Sequence, residues 1–288
     1  MKFVVKMLLT LLTASVISIA GAQTINTGRS DVELKVPDNY AKATPLPLVV
    51  LLHGYTSSGA GQDSYMKFSE LVNEFGFLLL MPDGTLEAAG KKNRFWNATA
   101  ACCDMQHSEV DDSAYLIDLI NEVKAQYAVE DNHVYLIGHS NGGFMSHRMA
   151  YDHPETIAAI ASLAGAAPAE LTGPAPSRPV NILQIHGSRD ATIKYAGGEI
   201  NGVSYPSANE TARKWAVYNT SAATANPLDN ALDLDRGLPG EETTITQFDK
   251  NGTVELWTIH DGGHVPALST SFNRRVIQWL FAHPKAPI

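Results

Sequence analysis

From Val134 to Phe144 the chain reads VYLIGHSNGGF, which sets Ser140 between Gly138 and Gly142 in a G-x-S-x-G pattern. An apolar, strand-like run leads into the serine and a stretch of helical spacing leads out. In that context the pattern describes a sharp strand-to-helix corner that lifts a serine hydroxyl above a sheet edge, beside the positive end of the following helix. A lone hydroxyl is a poor nucleophile at neutral pH, so acyl transfer needs a base to take its proton and an acid to orient that base. Behind such a corner the partners follow in the order serine, acid, histidine. The acid expected is Asp190, which follows the buried run VNILQIHG by a short Gly187-Ser188-Arg189 loop; capping a turn or pairing with Arg189 is its structural alternative. The base expected is His264, beyond TVELWTIH and the Gly262-Gly263 pair, with His260 as rival at the strand end. His139, His53 and His186 read as structural. Asp233 and Asp235 lie in an irregular stretch and read as solvated, with no spacing that fits a calcium loop. The developing oxyanion needs two backbone N–H donors, for which the amides of Asn141 and Tyr55 are expected. Tyr55 stands in the loop HGYTSSG after the run LVVLL.

These residues require a frame that brings several strand ends together. DVELKVP, from Asp31, alternates like an edge strand. PLVVLLHG, FLLLMPDG, HVYLIG, IAAIASLAG and VNILQIHG are almost wholly apolar, as strands covered on both faces are. Between them, MKFSELVNEFG, DDSAYLIDLINEVKAQYAV, NGGFMSHRMAYDHP and SANETARKWAVYN have helical spacing, with Ser207 or Asn209 as caps for the last, and SFNRRVIQWLFAH closes the chain as a helix. Asp111 and Asp112 stand where carboxylates suit a helix dipole. TTITQFD and TVELWTIH are expected to pair across Lys250-Asn251-Gly252. The alternation predicts an α/β fold with a mostly parallel central sheet and helices on both faces. In such sheets ligands gather at the carboxyl ends of the strands.

Lys2 and Lys6, an apolar run from Met7 to about Ile19, and Ala20-Gly21-Ala22 read as a secretory leader over residues 1–22, cut before Gln23. Residues 23–288 then form one catalytic domain, secreted or periplasmic, without a later membrane-spanning segment. The net charge is −9, and losing Lys2 and Lys6 lowers it by two to −11, which argues against nucleic acid or an anionic membrane as partner. The two cysteines, Cys102 and Cys103, are adjacent, which leaves two readings: a strained eight-membered ring favoured by an oxidising compartment, or a pair of buried thiols. Two long stretches, Thr85–Val110 and Thr220–Glu242, lack periodicity and are expected to wall a substrate pocket. Trp96 in the first is a candidate substrate platform, against a plain core position.

The segments VVLLHGYTSSG, MPDG, RFWNATAACCD, EVDDSAYL, VYLIGHSNGGFMSHRMA, ILQIHGSRDATIKY and WTIHDGGHVP stand in the order found in secreted α/β-hydrolases. The chain resembles the polyhydroxybutyrate depolymerase-like and feruloyl/acetylxylan esterase-like group over nearly all of its length. It departs from the group at Val265-Pro266 and in having no cysteine after residue 103. The resemblance implies a serine carboxylic-ester hydrolase with Ser140, Asp190 and His264 as triad and Tyr55 and Asn141 as oxyanion donors. It implies an ester substrate, whether small, oligomeric or polymer-attached, and no cofactor or metal. A peptidase on the same sheet, or a non-catalytic binding protein that kept the fold, are the rival expectations.

Overall fold

The computed structural model describes residues 21–88, 92–220, 222–249 and 253–286. The expected leader lies outside these residues except for Gly21 and Ala22, as does the expected turn at Lys250-Asn251-Gly252. In chain order the elements are β1 (Gly21–Asn26), β2 (Asp31–Val36), β3 (Leu46–Leu52), α1 (Gly59–Met66), a 3-10 turn (Phe68–Leu71), α2 (Val72–Phe75) and β4 (Leu78–Met81). There follow β5 (Thr85–Leu86), β6 (Arg94–Phe95), α3 (Asp112–Gln126), β7 (Val129–His139), α4 (Asn141–Asp152), β8 (Ala159–Leu163) and β9 (Asn181–Gly187). The remainder is β10 (Gly198–Ile200), β11 (Val203–Tyr205), α5 (Ala208–Thr220), β12 (Asn226–Leu232), β13 (Thr243–Gln247), β14 (Val254–Ile259) and α6 (Phe272–Ala282).

Ten strands make one sheet in the order β1-β2-β4-β3-β7-β8-β9-β14-β13-β12. The six strands from β4 to β14 run parallel, and β2 and β13 flank them antiparallel. The expected α/β class, with its mostly parallel sheet, is the fold observed. Side chains alternate across β3 and so feed two cores. Leu48, Val50 and Leu52 pack with Leu116, Leu119, Phe144, Met149 and Trp215 from α3, α4 and α5. Val49 and Leu51 pack with Phe68, Leu71, Val276 and Leu280 beneath α6. Each such fully buried side chain contributes about 1.5–3 kcal/mol, so the parallel strands are held from both faces.

Several expectations about elements are corrected. β2 is not the edge strand, because β1 pairs outside it in register Ile25↔Val32. The segment Thr220–Glu242 is not structureless: β12 pairs antiparallel with β13, with a register shift between Pro227 and Ala231, and its polar sequence concealed it. β13 and β14 pair as expected, Ile245 against Trp257. At α3, Asp111 caps by accepting from the Ala114 amide at 2.9 Å. Asp112 stands in the first turn of α3 as expected, and it is also buried and accepts from Arg29, Thr85 Oγ1 and the Asn97 amide, so it braces a loop as well. Ser207 caps α5 through the Glu210 amide. Among the described residues, no helix is long and apolar enough to cross a membrane.

Candidate active site

β3, β7, β9 and β14 are parallel, so the residues that follow them emerge at one edge of the sheet. Ser140 follows β7 directly and has φ 53° and ψ −119°, a backbone state that costs a non-glycine residue about 1–3 kcal/mol. The corner is held by close backbone packing. A Cβ on Gly138 would overlap the Gly142 carbonyl, and one on Gly142 would overlap the Leu52 carbonyl of β3, so neither position tolerates a side chain. Ser140 makes no side-chain cap, which leaves its hydroxyl free of α4.

Asp190 lies just past β9. Its loop is bonded to the tip of β14 through the Ser188 amide to Ile259 O (2.9 Å) and the Arg189 amide to Gly262 O (2.9 Å). A Cβ on Gly187 would overlap the Gly262 carbonyl, so glycine there permits this approach. The Asp190 carboxylate is buried. Its Oδ1 accepts from the amides of Thr192 (2.8 Å) and Ile193 (2.9 Å). Its Oδ2 accepts from His264 Nδ1 at 2.8 Å, and His186 Nε2 stands 3.3 Å away. Burial alone would raise this carboxyl, but the hydrogen bonds from His186, His264 and the Thr192 amide outweigh it and hold Asp190 below the usual carboxylate range.

With Nδ1–H given to Asp190, His264 presents Nε2 as an acceptor, and Ser140 Oγ donates to it at 2.9 Å. The three side chains chosen from the sequence therefore form one continuous hydrogen-bonded series. His264 is positioned by backbone as well. His139 Nε2–H donates to its carbonyl (2.9 Å), Tyr65 donates to Pro266 O (2.9 Å), and the Ala267 amide donates to Asp235 Oδ1 (3.1 Å). Asp235 is thus a buried anchor of the histidine loop, correcting the solvated reading; Asp233 is exposed. The rings of His139 and His264 lie 5.1 Å apart, and burial pushes His139 down to about 4, so it stays neutral beside its neighbour. The rival His260 is exposed and bonds Thr244 Oγ1 at 2.9 Å.

On the other side of Ser140, the Tyr55 loop has most of its amides engaged. Gly54 N–H donates to Gln62 Oε1 (3.1 Å), Thr56 N–H to Arg94 O (2.8 Å) and Ser57 N–H to Gly54 O (3.1 Å). The Tyr55 amide between them has no protein acceptor among the described residues. The Tyr55 hydroxyl donates to Glu87, which pushes it up to about 12. Asn141 is wholly buried, and its side chain spans the Trp96 peptide: Oδ1 accepts from Trp96 N–H (2.7 Å) and Nδ2 donates to Trp96 O (2.9 Å). Trp96 is also wholly buried and donates Nε1–H to His53 O at 3.0 Å. The platform expectation for Trp96 is corrected, since an indole enclosed in the core offers no face to a substrate. Cys102 and Cys103 are bonded to one another, and Asn141 Nδ2 lies 3.5 Å from Cys102 Sγ. The Thr85–Val110 stretch does line cavities. One of about 450 Å³ includes Ala101, Arg148, Tyr151 and Tyr205, and one of about 230 Å³ includes Cys102, Cys103, Met105 and Val203. The stretch after Thr220 lines a separate cavity of about 320 Å³ through Arg236, beside Tyr65 and Ala267, and none of the three cavities is lined by Ser140, Asp190 or His264. The sequence reading missed His147, Gln184 and Trp215, which connect to the acid side; nothing local in helix or strand sets them apart.

The fold and these four strand ends define an α/β-hydrolase. The family's sequence profile matches residues 39–222, and the chain belongs to the phospholipase/carboxylesterase family. It is 25% identical over 229 residues to the putative esterase NocK of Nocardia uniformis subsp. tsuyamanensis, covering 76% of this chain and 64% of that protein. It is 26% identical over 242 residues to feruloyl esterase B of Piromyces equi, covering 81% of this chain and 42% of that protein. The chain thus spans less than two thirds of the length of these curated relatives. Among solved structures, the acetyl xylan esterase from Aspergillus awamori superposes with a TM-score of 0.66 at 17% identity, over 91% of this chain and 99% of that one, which shows the shared fold. The resemblance to feruloyl- and acetylxylan-type esterases drawn from the motifs holds.

Proposed function

We propose that this chain is a serine carboxylic-ester hydrolase working through an acyl-enzyme. Ser140 Oγ attacks the ester carbonyl while His264 Nε2 takes the hydroxyl proton. That proton passes to the leaving alcohol as the carbon–oxygen bond breaks. A water molecule, activated by the same imidazole, then displaces the acid from Ser140. Asp190 keeps His264 in the Nδ1–H tautomer and stabilises the imidazolium. The amides of Tyr55 and Asn141 take the oxyanion; such a donor is worth about 10²–10³ in kcat. The observation that carries this reading is the unbroken pair of hydrogen bonds from Ser140 through His264 to Asp190.

Feruloyl, acetyl, short aliphatic and hydroxyalkanoate esters are the substrate classes proposed, the first two being the substrates in the names of relatives. Residues 23–288 are proposed as one catalytic domain exported behind the leader; an N-terminal sequence of the mature protein should begin at Gln23. The central test is labelling by a fluorophosphonate probe together with rates on methyl ferulate, p-nitrophenyl acetate, p-nitrophenyl butyrate and a hydroxybutyrate oligomer. Ser140→Ala should lose both labelling and turnover while remaining folded. Turnover retained in that variant would overturn the reading.

A further inference from the structure

Behind Asp190 a chain of buried polar side chains runs through the core, and the action of the proposed site does not use it directly. Trp215 Nε1 lies 2.9 Å from His147 Nδ1. His147 Nε2 lies 2.9 Å from Gln184 Oε1, and Gln184 Nε2 lies 2.8 Å from Gly165 O and 3.2 Å from His186 Nδ1. His186 Nε2 lies 2.8 Å from Ile193 O and 3.3 Å from Asp190 Oδ2. Trp215, His147 and Gln184 are wholly buried, and His186 is 1% exposed. Nothing here is satisfied by bulk water, so each proton must have an acceptor inside the protein.

The chemistry of the two ends leaves one arrangement of protons. An indole nitrogen only donates, so His147 Nδ1 is bare and its proton is on Nε2. That proton goes to Gln184 Oε1, which puts the amide nitrogen of Gln184 on the other side. Gly165 O only accepts and independently requires the same amide orientation. The second amide hydrogen then points at His186 Nδ1, which must be bare, so the His186 proton is on Nε2. Ile193 O only accepts and requires the same tautomer without reference to Gln184. The donors therefore run one way from Trp215 to His186, whose Nε2–H goes to Ile193 O at 2.8 Å with Asp190 Oδ2 sharing that N–H edge at 3.3 Å. Protonating either imidazole would set two N–H groups against each other, at Trp215 for His147 or at Gln184 for His186.

We propose that Trp215, His147, Gln184 and His186 form a one-directional hydrogen-bond chain that fixes the His186 tautomer, so that its N–H edge holds Asp190 Oδ2 in line with His264. Gln184 and His186 are then positioning residues for the Asp190–His264 pair. The proposal rests on the triad reading above. Burial pushes His147 down to about 4, in keeping with a neutral ring. Asp190 has all its remaining acceptor directions filled by the Thr192 and Ile193 amides and His264, so the His186 edge closes the carboxylate's surroundings. A misplaced or inverted donor there would turn the carboxylate away from the one geometry in which it orients His264.

Two measurements test this. In the unmodified protein at pH 7, nitrogen-15 NMR of the imidazoles should find both His147 and His186 neutral with the proton on Nε2. A His186 proton on Nδ1, or a His186 imidazolium, would overturn the proposal. The second is the pH profile of kcat/KM on p-nitrophenyl acetate. The groups facing His264 and Asp190 are His186 from β9 and His139 from β7; Tyr195 packs edge-on to His186, and the Arg189–Asp261 pair lies at the surface. His186→Phe removes a donor from the carboxylate and leaves more of its charge for the His264 imidazolium. The acid limb should therefore move up by about half a pH unit to one unit. kcat should fall about tenfold with KM little changed, the size of one hydrogen bond to a charged group. His186→Gln, which keeps an N–H, should return the limb towards the wild-type position. A role in stability alone would lower Tm and leave the limb where it was, and that result would also overturn the proposal. If His186→Phe does not fold, the NMR tautomer decides. Ser140→Ala separates the two readings: activity surviving in that variant removes the triad, whereas a dead Ser140→Ala beside an unmoved acid limb removes only the hydrogen-bond chain.

Discussion

The two sides of Ser140 are built differently. On the acid side, Asp190 sits at the end of β9 against β14, and its neighbours Gln184 and His186 belong to the strand itself. On the proposed oxyanion side, Tyr55 and Trp96 belong to irregular loops, and Asn141 holds the second loop to the head of α4. One side takes its precision from the register of a parallel sheet. The other takes it from contacts between loops, with Asn141 spanning the Trp96 peptide and Gln62 and Arg94 holding the amides on either side of Tyr55. A carboxylate that must stay ionised while buried needs several fixed donors, and a sheet interior supplies them. The two amides proposed to take the oxyanion would have to stay open to an ester, and loops leave room for that.

The contrast can be broken most forcefully on the acid side. Asp190→Asn should keep the fold and lose about 10⁴ in kcat, because the amide no longer fixes the Nδ1–H tautomer of His264; steady-state rates at pH 7 on p-nitrophenyl acetate read it. Asn141→Ala should release the Trp96 peptide and cost about 10²-fold in kcat with labelling by fluorophosphonate slowed but present, a displacement effect of the size expected for a shift near 1 Å. If Asn141→Ala were as damaging as Asp190→Asn, the two sides would be equally dependent on one side chain and the comparison would fail.

Acid sharpens the contrast through stability. His139 and His147 are both held down to about 4 by burial, whereas in the unfolded chain a histidine titrates near 6.5. As pH falls from about 6.5 to 4, the unfolded chain takes up protons that the folded chain refuses, so stability drops across that window and the loss is complete below it. Each group contributes about 1.4 kcal/mol per pH unit inside the window. Urea midpoints measured from pH 7 to 4 should therefore decline, and His147→Gln should flatten the decline by one group's share. The smallest effect belongs to Tyr55→Phe, which severs the hydroxyl from Glu87 and keeps the backbone amide. It should lower kcat/KM by less than about tenfold, one net hydrogen bond's worth.

The parts of this site that were legible in the sequence are those written locally. Gly138, Ser140 and Gly142 share one turn, and Asp190 and His264 each follow a recognisable apolar strand, so order along the chain was enough to select them. The strands of the parallel sheet read clearly because both of their faces are covered. β12 did not, because Asn226, Pro227, Asp229 and Asn230 at an exposed edge carry no period. Asp235 looked solvated because, beside the local Gly237 amide, the partner that buries it, the Ala267 amide, lies 32 residues away. Longer separations, 68 residues from Trp215 to His147 and 37 from His147 to Gln184, hide these three from any local pattern: each is an ordinary residue of its element until the fold brings their polar atoms together.

The His139 imidazole ties the strand tip that carries the hydroxyl to the peptide carrying the base. In the proposed mechanism the hydroxyl and the imidazole that takes its proton therefore share one mechanical support, a ring that belongs to neither of them.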